Sequence, residues 1–212
     1  MLKLNLGCGS TQPEGWINVD YSLGARFSKI PFYNFINRRI KLFDIDINGV
    51  PRKWNEKLYI HDLNNRFPWE SNSVDIIYCS HTLEHFSKQE GQAFLQECYR
   101  VLKIEGIIRI VVPDLKSFVE EYCKGNIRAD EFVEKLGVLY ENKRSSFKNL
   151  FLTVTQFPHR CMYDAQTLSA ILTAMDFIVE RREPFKSAIL DIKSIELAER
   201  TESAVIVEGK KK

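Results

Sequence analysis

Two short segments near the start of the chain combine residue types that could hold a nucleoside. An apolar strand leads into the tight turn Gly7-Cys8-Gly9, and a second short apolar strand ends on Asp20. Glycines at a turn leave the backbone open to close approach by a ligand. A carboxylate directly after a strand can accept hydrogen bonds from both hydroxyls of a ribose. The pattern therefore predicts a site for an adenosine-containing cofactor.

The spacing of these residues disfavours a nicotinamide dinucleotide. A dinucleotide fingerprint requires a third glycine, where this chain has Gln12, and an acidic residue about 20 residues further on. Asp20 comes too early to be that residue. An NAD-linked oxidoreductase therefore remains an alternative that the sequence does not favour.

Two later segments carry histidines that could move a proton or shape a substrate site. Ser80 and His81 directly follow a predicted strand, at the sheet edge where ligands of open α/β folds gather, and His85 comes four residues later. His159 lies in the loop before the last long predicted helix. An imidazole can accept a proton near neutral pH, so His159 is the first candidate for a general base and His85 the second. Each could instead serve only structure, and for His85 that role is slightly favoured.

The motifs resemble those of class I S-adenosylmethionine (SAM)-dependent methyltransferases. One group of these enzymes, associated with glycan and cell-surface biosynthesis, begins with leucine-asparagine-leucine-glycine-cysteine-glycine and continues with glycine-tryptophan-x-asparagine-valine-aspartate. Residues 4–9 and 15–20 match these motifs, and residues 80–85 match the family's serine-x-x-leucine-glutamate-histidine segment. The resemblance implies SAM as the cofactor. It also implies an α/β, Rossmann-like methyltransferase fold, with a mostly parallel central sheet, an antiparallel last strand and helices on both faces.

The resemblance further implies a role for each matched residue. The glycine turn would lie beside the methionine part of SAM, and Asp20 would bind the ribose. Asp62 would accept a hydrogen bond from the adenine amino group, and the backbone amide of Leu63 would reach the ring. The backbone at Ser80 and His81 would line the methionine end of the site.

Methyl transfer asks little catalytic machinery of the protein. The reaction is an in-line displacement from a sulfonium, so the protein supplies alignment, desolvation and sometimes a base. The predicted reaction is methylation of a small-molecule or saccharide acceptor, at oxygen. A SAM-binding partner protein without catalytic activity is the first alternative. A nucleic-acid methyltransferase is disfavoured, because the Asn-Pro-Pro-Tyr type of motif is absent.

Strands and helices alternate along the chain, a pattern typical of an α/β sheet protein. The helices are predicted from the capping box at residues 87–90, from Pro113-Asp114 to about Gly125, around Phe132 and after the N-cap Asp164. The predicted strands are residues 3–6, 17–20, 58–61, 74–79, 107–112, 177–179 and 204–207.

Two segments interrupt this alternation and are predicted to form inserted helical lids on one domain that spans residues 1–212. They cover about residues 24–45 and 126–150. The first would begin near Pro31 and place its aromatic and aliphatic residues on one face. It either packs on the domain or, as the minority interpretation, contacts a membrane surface or a lipid-linked acceptor through residues 26–43. The apolar face would consist of Phe32, Phe35, Ile36, Ile40 and Phe43.

Composition limits the classes of protein that remain. The chain has 212 residues, of which 44% are hydrophobic, and this suits a single α/β domain. Its 30 basic residues nearly balance its 28 acidic residues, so no nucleic-acid partner is expected. The five cysteines include no Cys-x-x-Cys pair, which predicts no disulfide framework and no cysteine-based metal site, and Cys8 is interpreted as a packing residue. We expect a cytoplasmic protein, since no signal peptide or membrane span is evident. The sequence does not predict the oligomeric state.

Overall fold

The described part of the chain is built around one seven-stranded sheet. The computed structural model describes residues 1–33, 35, 54–55, 57–138 and 158–212. The strands are β1 (Lys3–Leu6), β2 (Ile17–Asp20), β3 (Tyr59–Ile60), β4 (Val74–Ser80), β5 (Leu102–Pro113), β6 (Phe177–Arg181) and β7 (Ala204–Lys211).

The strand order is β3-β2-β1-β4-β5-β7-β6. Strands β1 to β5 pair in parallel, whereas β7 pairs antiparallel with both β5 and β6. The predicted mostly parallel sheet with an antiparallel last strand is therefore confirmed. The chain order reverses between β1 and β4, and open α/β sheets bind their ligands at such a point.

The bounds of β1 and β2 agree with the prediction, but β5 begins five residues before its predicted start at residue 107. The early part of β5 contains exposed residues, among them Ile104 and Glu105, and its pairing with β4 shifts register between Val74 and Ile76. Glu105 also has a positive φ of 66°. An irregular, half-exposed stretch of this kind lacks the apolar alternation that predicts a strand.

Six helices accompany the sheet in the described residues. They are α1 (Leu23–Phe27), α2 (Lys88–Val101), α3 (Leu115–Cys123), α4 (Ala129–Lys135), α5 (Ala165–Ala174) and α6 (Ala198–Thr201). The Ser87 side chain accepts from the Glu90 amide while the Glu90 carboxylate accepts from the Ser87 amide, so the predicted capping box is present. Asp114 and Asp164 cap α3 and α5, as predicted.

The parallel strands β1 and β2 are joined without a helix. Residues 7–16 are all described and contain turns only, although parallel strands are usually joined by a helical crossover. Helices α2 and α5 cover one face of the sheet, where their apolar residues pack in one core with Leu4 and Leu6 of β1. On the other face, the connection between β6 and β7 (residues 182–203, the late segment) buries Trp16 and Tyr78 under Ile189, Ile192 and Ile195. A late segment of the chain thus covers the face that the short connection leaves bare.

A fully buried arginine fixes this late segment to the sheet. The Arg109 guanidinium, on β5, donates two hydrogen bonds of 2.8 Å to the Glu196 carboxylate and one of 2.8 Å to Glu208 on β7. It also donates to the carbonyl oxygens of Glu183 and Lys186. Arg109 and Glu196 are both 0% exposed at their side chains. The network therefore replaces hydration for three charged groups at once.

A partly buried carboxylate joins α2 to the loop after β3. Glu97 accepts hydrogen bonds from the Phe67 amide at 2.8 Å and from the Arg100 guanidinium at 2.7 and 2.8 Å. The hydrogen bond from Arg100 is the main reason why the pKa of Glu97 lies below its ordinary value. Folding therefore favours the ionised carboxylate.

Replacing Glu97 with glutamine is expected to lower the free energy of unfolding by about 1 kcal/mol at pH 6. Because the folded-state pKa is lowered, this contribution is fully present above the unfolded-state pKa of about 4.3 and is lost as the pH falls through the folded-state pKa. Urea denaturation at pH 6 and pH 3 would measure the difference from wild type, which should shrink at pH 3. Glu70→Gln, at an exposed glutamate nearby, is the control. An equal loss at both pH values would contradict the expectation.

The two predicted lids fall largely outside the described residues. Of the first, α1 and exposed Phe32 and Phe35 are described, and Ile36, Ile40 and Phe43 are not. Of the second, α4 is described and residues 139–150 are not. No helix in the described ranges is long and apolar enough to cross a membrane.

Candidate functional site

The glycine turn joins the end of β1 to the end of β2 through backbone hydrogen bonds. The amides of Gly7 and Cys8 both donate to the Val19 carbonyl, at 2.9 and 3.0 Å. Gly7 and Gly9 have φ values of 70° and 52°, which disfavour any residue with a Cβ atom. The turn therefore has one defined shape at the carboxyl edge of the sheet.

The two glycines serve different purposes. A Cβ atom on Gly7 would lie 2.1 Å from Oγ1 of Thr82, so this glycine makes room for a side chain of the protein itself. At Gly9, the nearest atom to an added Cβ is an Arg200 guanidinium nitrogen at 3.7 Å. The open side of the turn is thus at Gly9, and Gly7 is required for packing against the chain after β4.

Asp20 braces the turn as well as ending β2. Its Oδ2 accepts from the Gly9 amide at 2.9 Å, and its Oδ1 accepts from the Ser22 amide at 2.8 Å. Asp20 is buried, with only 8% of its surface exposed. Each carboxylate oxygen has a second lone pair, so both can still accept from a ligand hydroxyl.

The thiol of Cys8 lies inside the fold. Cys8 is 3% exposed and packs with Ala25, Trp54 and Leu58. Burial raises the pKa of this thiol well above its ordinary value, and nearby Asp20 raises it further. Such a thiol is a poor nucleophile, as expected for a packing residue.

Asp62 and Leu63 lie beyond β3, past the carboxyl end of β2. Oδ1 of Asp62 accepts from the amide and the side chain of Asn64, which closes a local turn. Leu63 is 8% exposed and belongs to the main hydrophobic core. These two residues lie at the same edge of the sheet as Asp20, and strands β2 and β1 separate β3 from β4.

A cleft opens beside the glycine turn, between the ends of β1 and β4. Asn5, Gly7, Cys8, Thr11, Tyr78, Ser80, Ile195 and Arg200 line it. Three of these residues, Thr11, Tyr78 and Ser80, have buried hydroxyl oxygens without a hydrogen-bond partner among the described residues. Burial raises the pKa of Tyr78 to about 12, so this hydroxyl keeps its proton. Buried hydroxyls are normally paired, and three of them in one cleft suit a polar ligand.

The cleft also contains a cation, Arg200, for which the sequence analysis proposed no ligand contact. Arg200 is partly buried, and one guanidinium nitrogen lies 3.5 Å from the Ser80 carbonyl oxygen. A guanidinium pairs well with a carboxylate. The cleft therefore combines a cation with polar groups, which is the chemistry that pairs with a carboxylate.

His81 and Glu84 extend the site past β4. His81 adopts a positive φ of 50°, and non-glycine residues in this region are often found at functional sites. Its Nδ1 lies 3.5 Å from Oε1 of Glu84, whose side chain is 0% exposed. Burial raises the pKa of Glu84 to about 8, so this carboxyl binds a proton more readily than an ordinary glutamate. The sequence interpretation did not single out Glu84.

His85 and His159 meet beside Glu84. Their ring centroids are 5.2 Å apart, and Nε2 of His159 lies 4.0 Å from Oε1 of Glu84. Burial lowers the pKa of both imidazoles, and of His81, below the ordinary value. The neutral form of each ring is therefore favoured.

The loop that carries His159 is fixed to this region by its backbone. The amides of Arg160 and Cys161 donate to the Glu84 carbonyl oxygen at 2.7 and 3.1 Å. Arg160 forms an ion pair with Glu90 at 2.6 Å, so its side chain helps to hold the loop. The fold thus brings together two histidines that are 74 positions apart in the sequence.

Comparisons with known proteins bear on the whole arrangement. The methyltransferase domain family matches residues 36–110, a span that includes β3, β4 and α2 and leaves out the glycine turn. No curated protein matches the sequence.

Solved structures match over nearly the whole chain. The PH0226 protein of Pyrococcus horikoshii has a TM-score of 0.54 at 15% identity and covers 99% of this chain and 81% of that one. A SAM-dependent methyltransferase of Archaeoglobus fulgidus has a TM-score of 0.50 at 18% identity, covering 99% and 85%. The methyltransferase structure from Haloferax volcanii, solved with the activator Trm112, has a TM-score of 0.50 at 13% identity, covering 99% and 81%.

At these identities the likeness establishes the fold. The chain has a Rossmann-like methyltransferase fold. The methyltransferase domain model covers residues 36–110, less than half of the chain, and the solved structures show the fold alone. Within the methyltransferase fold, the predicted site residues form two groups. Gly7, Cys8 and Ser80 line the cleft, with Gly9 and Asp20 beside them in the turn. His85 and His159 lie around Glu84, which His81 also contacts. Asp62 and Leu63 belong to neither group and lie beyond β3.

Proposed function

We propose that this protein transfers a methyl group from SAM to an oxygen atom of a small-molecule or saccharide acceptor. The observation that carries the proposal is the cleft at the β1–β4 edge, where Arg200 and three buried hydroxyls face the glycine turn. A dinucleotide is less suited to this turn. The Gln12 side chain, at the position of the third fingerprint glycine, donates to the Gly9 carbonyl oxygen at 3.0 Å and accepts from the Asn55 amide.

The proposed binding mode follows from the polarity along the edge. Asp20 would accept from the ribose hydroxyls, and Asp62 and the Leu63 amide would contact the adenine. Gly7, Cys8 and Gly9, with the backbone of Ser80 and His81, would border the methionine part. Arg200 would pair with its carboxylate, which gives the late segment a role in binding as well as in folding. When bound, SAM supplies an electrophilic methyl group on a sulfonium.

The chain's own residues would then align the acceptor and exclude water. A hydroxyl acceptor must lose its proton, and a nearby base makes this easier. His159 is the proposed base and His85 the second candidate, since their neutral rings contact each other beside Glu84, which His81 at the end of β4 also contacts.

Calorimetric titration with S-adenosylhomocysteine, with NAD as the control ligand, tests the cofactor part of the proposal. We expect S-adenosylhomocysteine to bind and NAD not to bind. Transfer of a labelled methyl group from SAM to the small molecules of a cell extract then tests the activity. A folded protein that binds neither ligand would contradict the proposal. Binding without transfer would instead favour a SAM-binding partner protein.

Arg200→Gln tests the proposed contact with the cofactor carboxylate. The variant is expected to weaken S-adenosylhomocysteine binding about 10-fold or more, because a hydrogen bond to a charged group contributes about 1.5–3 kcal/mol. Methylthioadenosine lacks the amino-acid part, so its affinity should not change. Calorimetry measures both ligands, and Lys193→Gln, at an exposed cation of the same segment, is the matched variant. An equal loss for both ligands would show that Arg200 acts through the fold.

A further inference from the structure

We propose that Glu84, His85 and His159 form a binding site for a divalent first-row transition-metal ion. Each residue offers one ligand atom, and the three atoms lie within 4.8 Å of one another. Two imidazole nitrogens and one carboxylate oxygen form a donor set that such metals bind in proteins.

The carboxylate is the strongest single reason for the proposal. The Glu84 side chain is 0% exposed, and neither of its oxygens has a hydrogen-bond partner among the described residues. A buried carboxyl group is normally hydrogen-bonded, paired with an opposite charge or bound to a metal ion, and a bound ion would replace its proton. Two imidazole nitrogens lie near its Oε1, with Nδ1 of His81 at 3.5 Å and Nε2 of His159 at 4.0 Å.

The imidazoles are oriented as metal-binding histidines usually are. Nδ1 of His159 faces the Leu136 carbonyl oxygen at 2.8 Å, and Nδ1 of His85 faces the Pro158 carbonyl oxygen at 3.2 Å. A carbonyl can only accept, so in each neutral ring the facing nitrogen carries the hydrogen and the opposite nitrogen carries the lone pair. Backbone carbonyls of this kind fix the tautomer and the orientation of ligating histidines.

His81 follows the same rule and could extend the donor set. Its Nε2 faces the Arg200 carbonyl oxygen at 2.8 Å, which leaves the lone pair on Nδ1, beside Glu84. The backbone amides of Arg160 and Cys161 hold the loop of His159 against the Glu84 carbonyl oxygen. Three separate parts of the backbone therefore orient the rings around one carboxylate.

The position of the site indicates what the ion would do, and this role for the ion rests on the proposed function, whereas the metal binding itself does not. His81 contacts the Arg200 carbonyl oxygen, and Arg200 lines the cofactor cleft, so the cluster is connected to that cleft. An ion there would hold His159 as a ligand in place of its proposed role as the base. It would lower the pKa of a bound acceptor hydroxyl, so that solvent water could take the proton.

Metal binding is measurable without any methyl donor, so its failure can be told apart from failure of the proposed function. Protein treated with a chelator and dialysed would be titrated with Zn²⁺ by calorimetry and with Co²⁺ by visible absorption. We expect one equivalent to bind, with a cobalt spectrum typical of nitrogen and oxygen ligands. We also expect Zn²⁺ to raise the melting temperature.

Glu84→Gln and His159→Gln are each expected to weaken binding at least about 10-fold, since even loss of an outer-shell partner has an effect of that size. His61→Gln is the control, because His61 is the one histidine of this chain that is neither a proposed ligand nor, like His81, beside Glu84. If the variant of the buried Glu84 does not fold, the metal affinity of the His159→Gln variant tests the proposal, because His159 is partly exposed.

Three results would each overturn the proposal. The first is a folded wild-type protein that takes up neither ion. The second is binding that persists unchanged in both folded variants. The third is a cobalt spectrum with thiolate charge-transfer bands, which would place the ion at a cysteine.

Discussion

Arg109→Leu is expected to lower the free energy of unfolding by about 3–5 kcal/mol, because removal of one partner from a buried ion network leaves the other charges without compensation. Arg109 and Glu196 are both 0% exposed at their side chains, and the guanidinium makes all three of its carboxylate contacts at 2.8 Å. Domains of this size have total stabilities of about 5–15 kcal/mol, so the variant should lose about a third or more of a typical total stability. Urea denaturation followed by circular dichroism would measure the loss.

A second substitution separates the uncompensated charge from lost packing. Arg109→Leu combined with Glu196→Gln should recover part of the stability, since it removes the carboxylate that the single variant leaves unpaired. Arg182→Leu is the control. Its side chain is 32% exposed and it contacts Glu208 at 3.0 Å, so we expect a loss of at most about 1 kcal/mol. A double variant no more stable than Arg109→Leu would assign the effect to packing alone.

Asp20→Asn is expected to weaken S-adenosylhomocysteine binding about 100-fold or more. The proposed role of Asp20 is to accept from two ribose hydroxyls, and hydrogen bonds to a charged group contribute about 1.5–3 kcal/mol each. Asp20 also accepts from the amides of Gly9 and Ser22, so the variant disturbs the turn as well. Both effects have the same direction and would be measured by calorimetry.

The controls for Asp20 divide binding from folding. Glu14→Gln, at an exposed acid of the same connection, should bind like wild type. The melting temperature of Asp20→Asn would report the disturbance of the turn by itself. Unchanged binding in a folded Asp20→Asn protein would exclude the proposed ribose contact.

The sequence predicted the elements whose signals are local. Strands β1 and β2 end at the predicted residues, because each is a short apolar run followed by a turn or a carboxylate. The capping box at Ser87 and the N-caps Asp114 and Asp164 are also local patterns, and all three are present. Helix α4, around Phe132, has the predicted position, although it is only seven residues long.

The features that the sequence did not reveal depend on contacts between distant residues. Glu84 looks like a polar residue at a helix start, and it is buried because the loop that carries His159 folds over it. Arg109 interrupts a run of isoleucines, and its partners Glu196 and Glu208 come 87 and 99 positions later. Arg200 received no binding role in the sequence analysis, and only its position beside Gly9 makes it a candidate ligand residue.

The late segment and β7 determine when the protein can fold during its synthesis. Ile195 and Arg200 line the cleft, and β7 inserts between β5 and β6, so residues 195–211 complete both the binding site and the sheet. Until those residues leave the ribosome, Trp16 and Tyr78 lack Ile195 and Ile206 of their cover, and Arg109 has no carboxylate partner. Since domains generally fold as units during synthesis, this chain would have to wait for its last strand before it becomes either stable or able to bind.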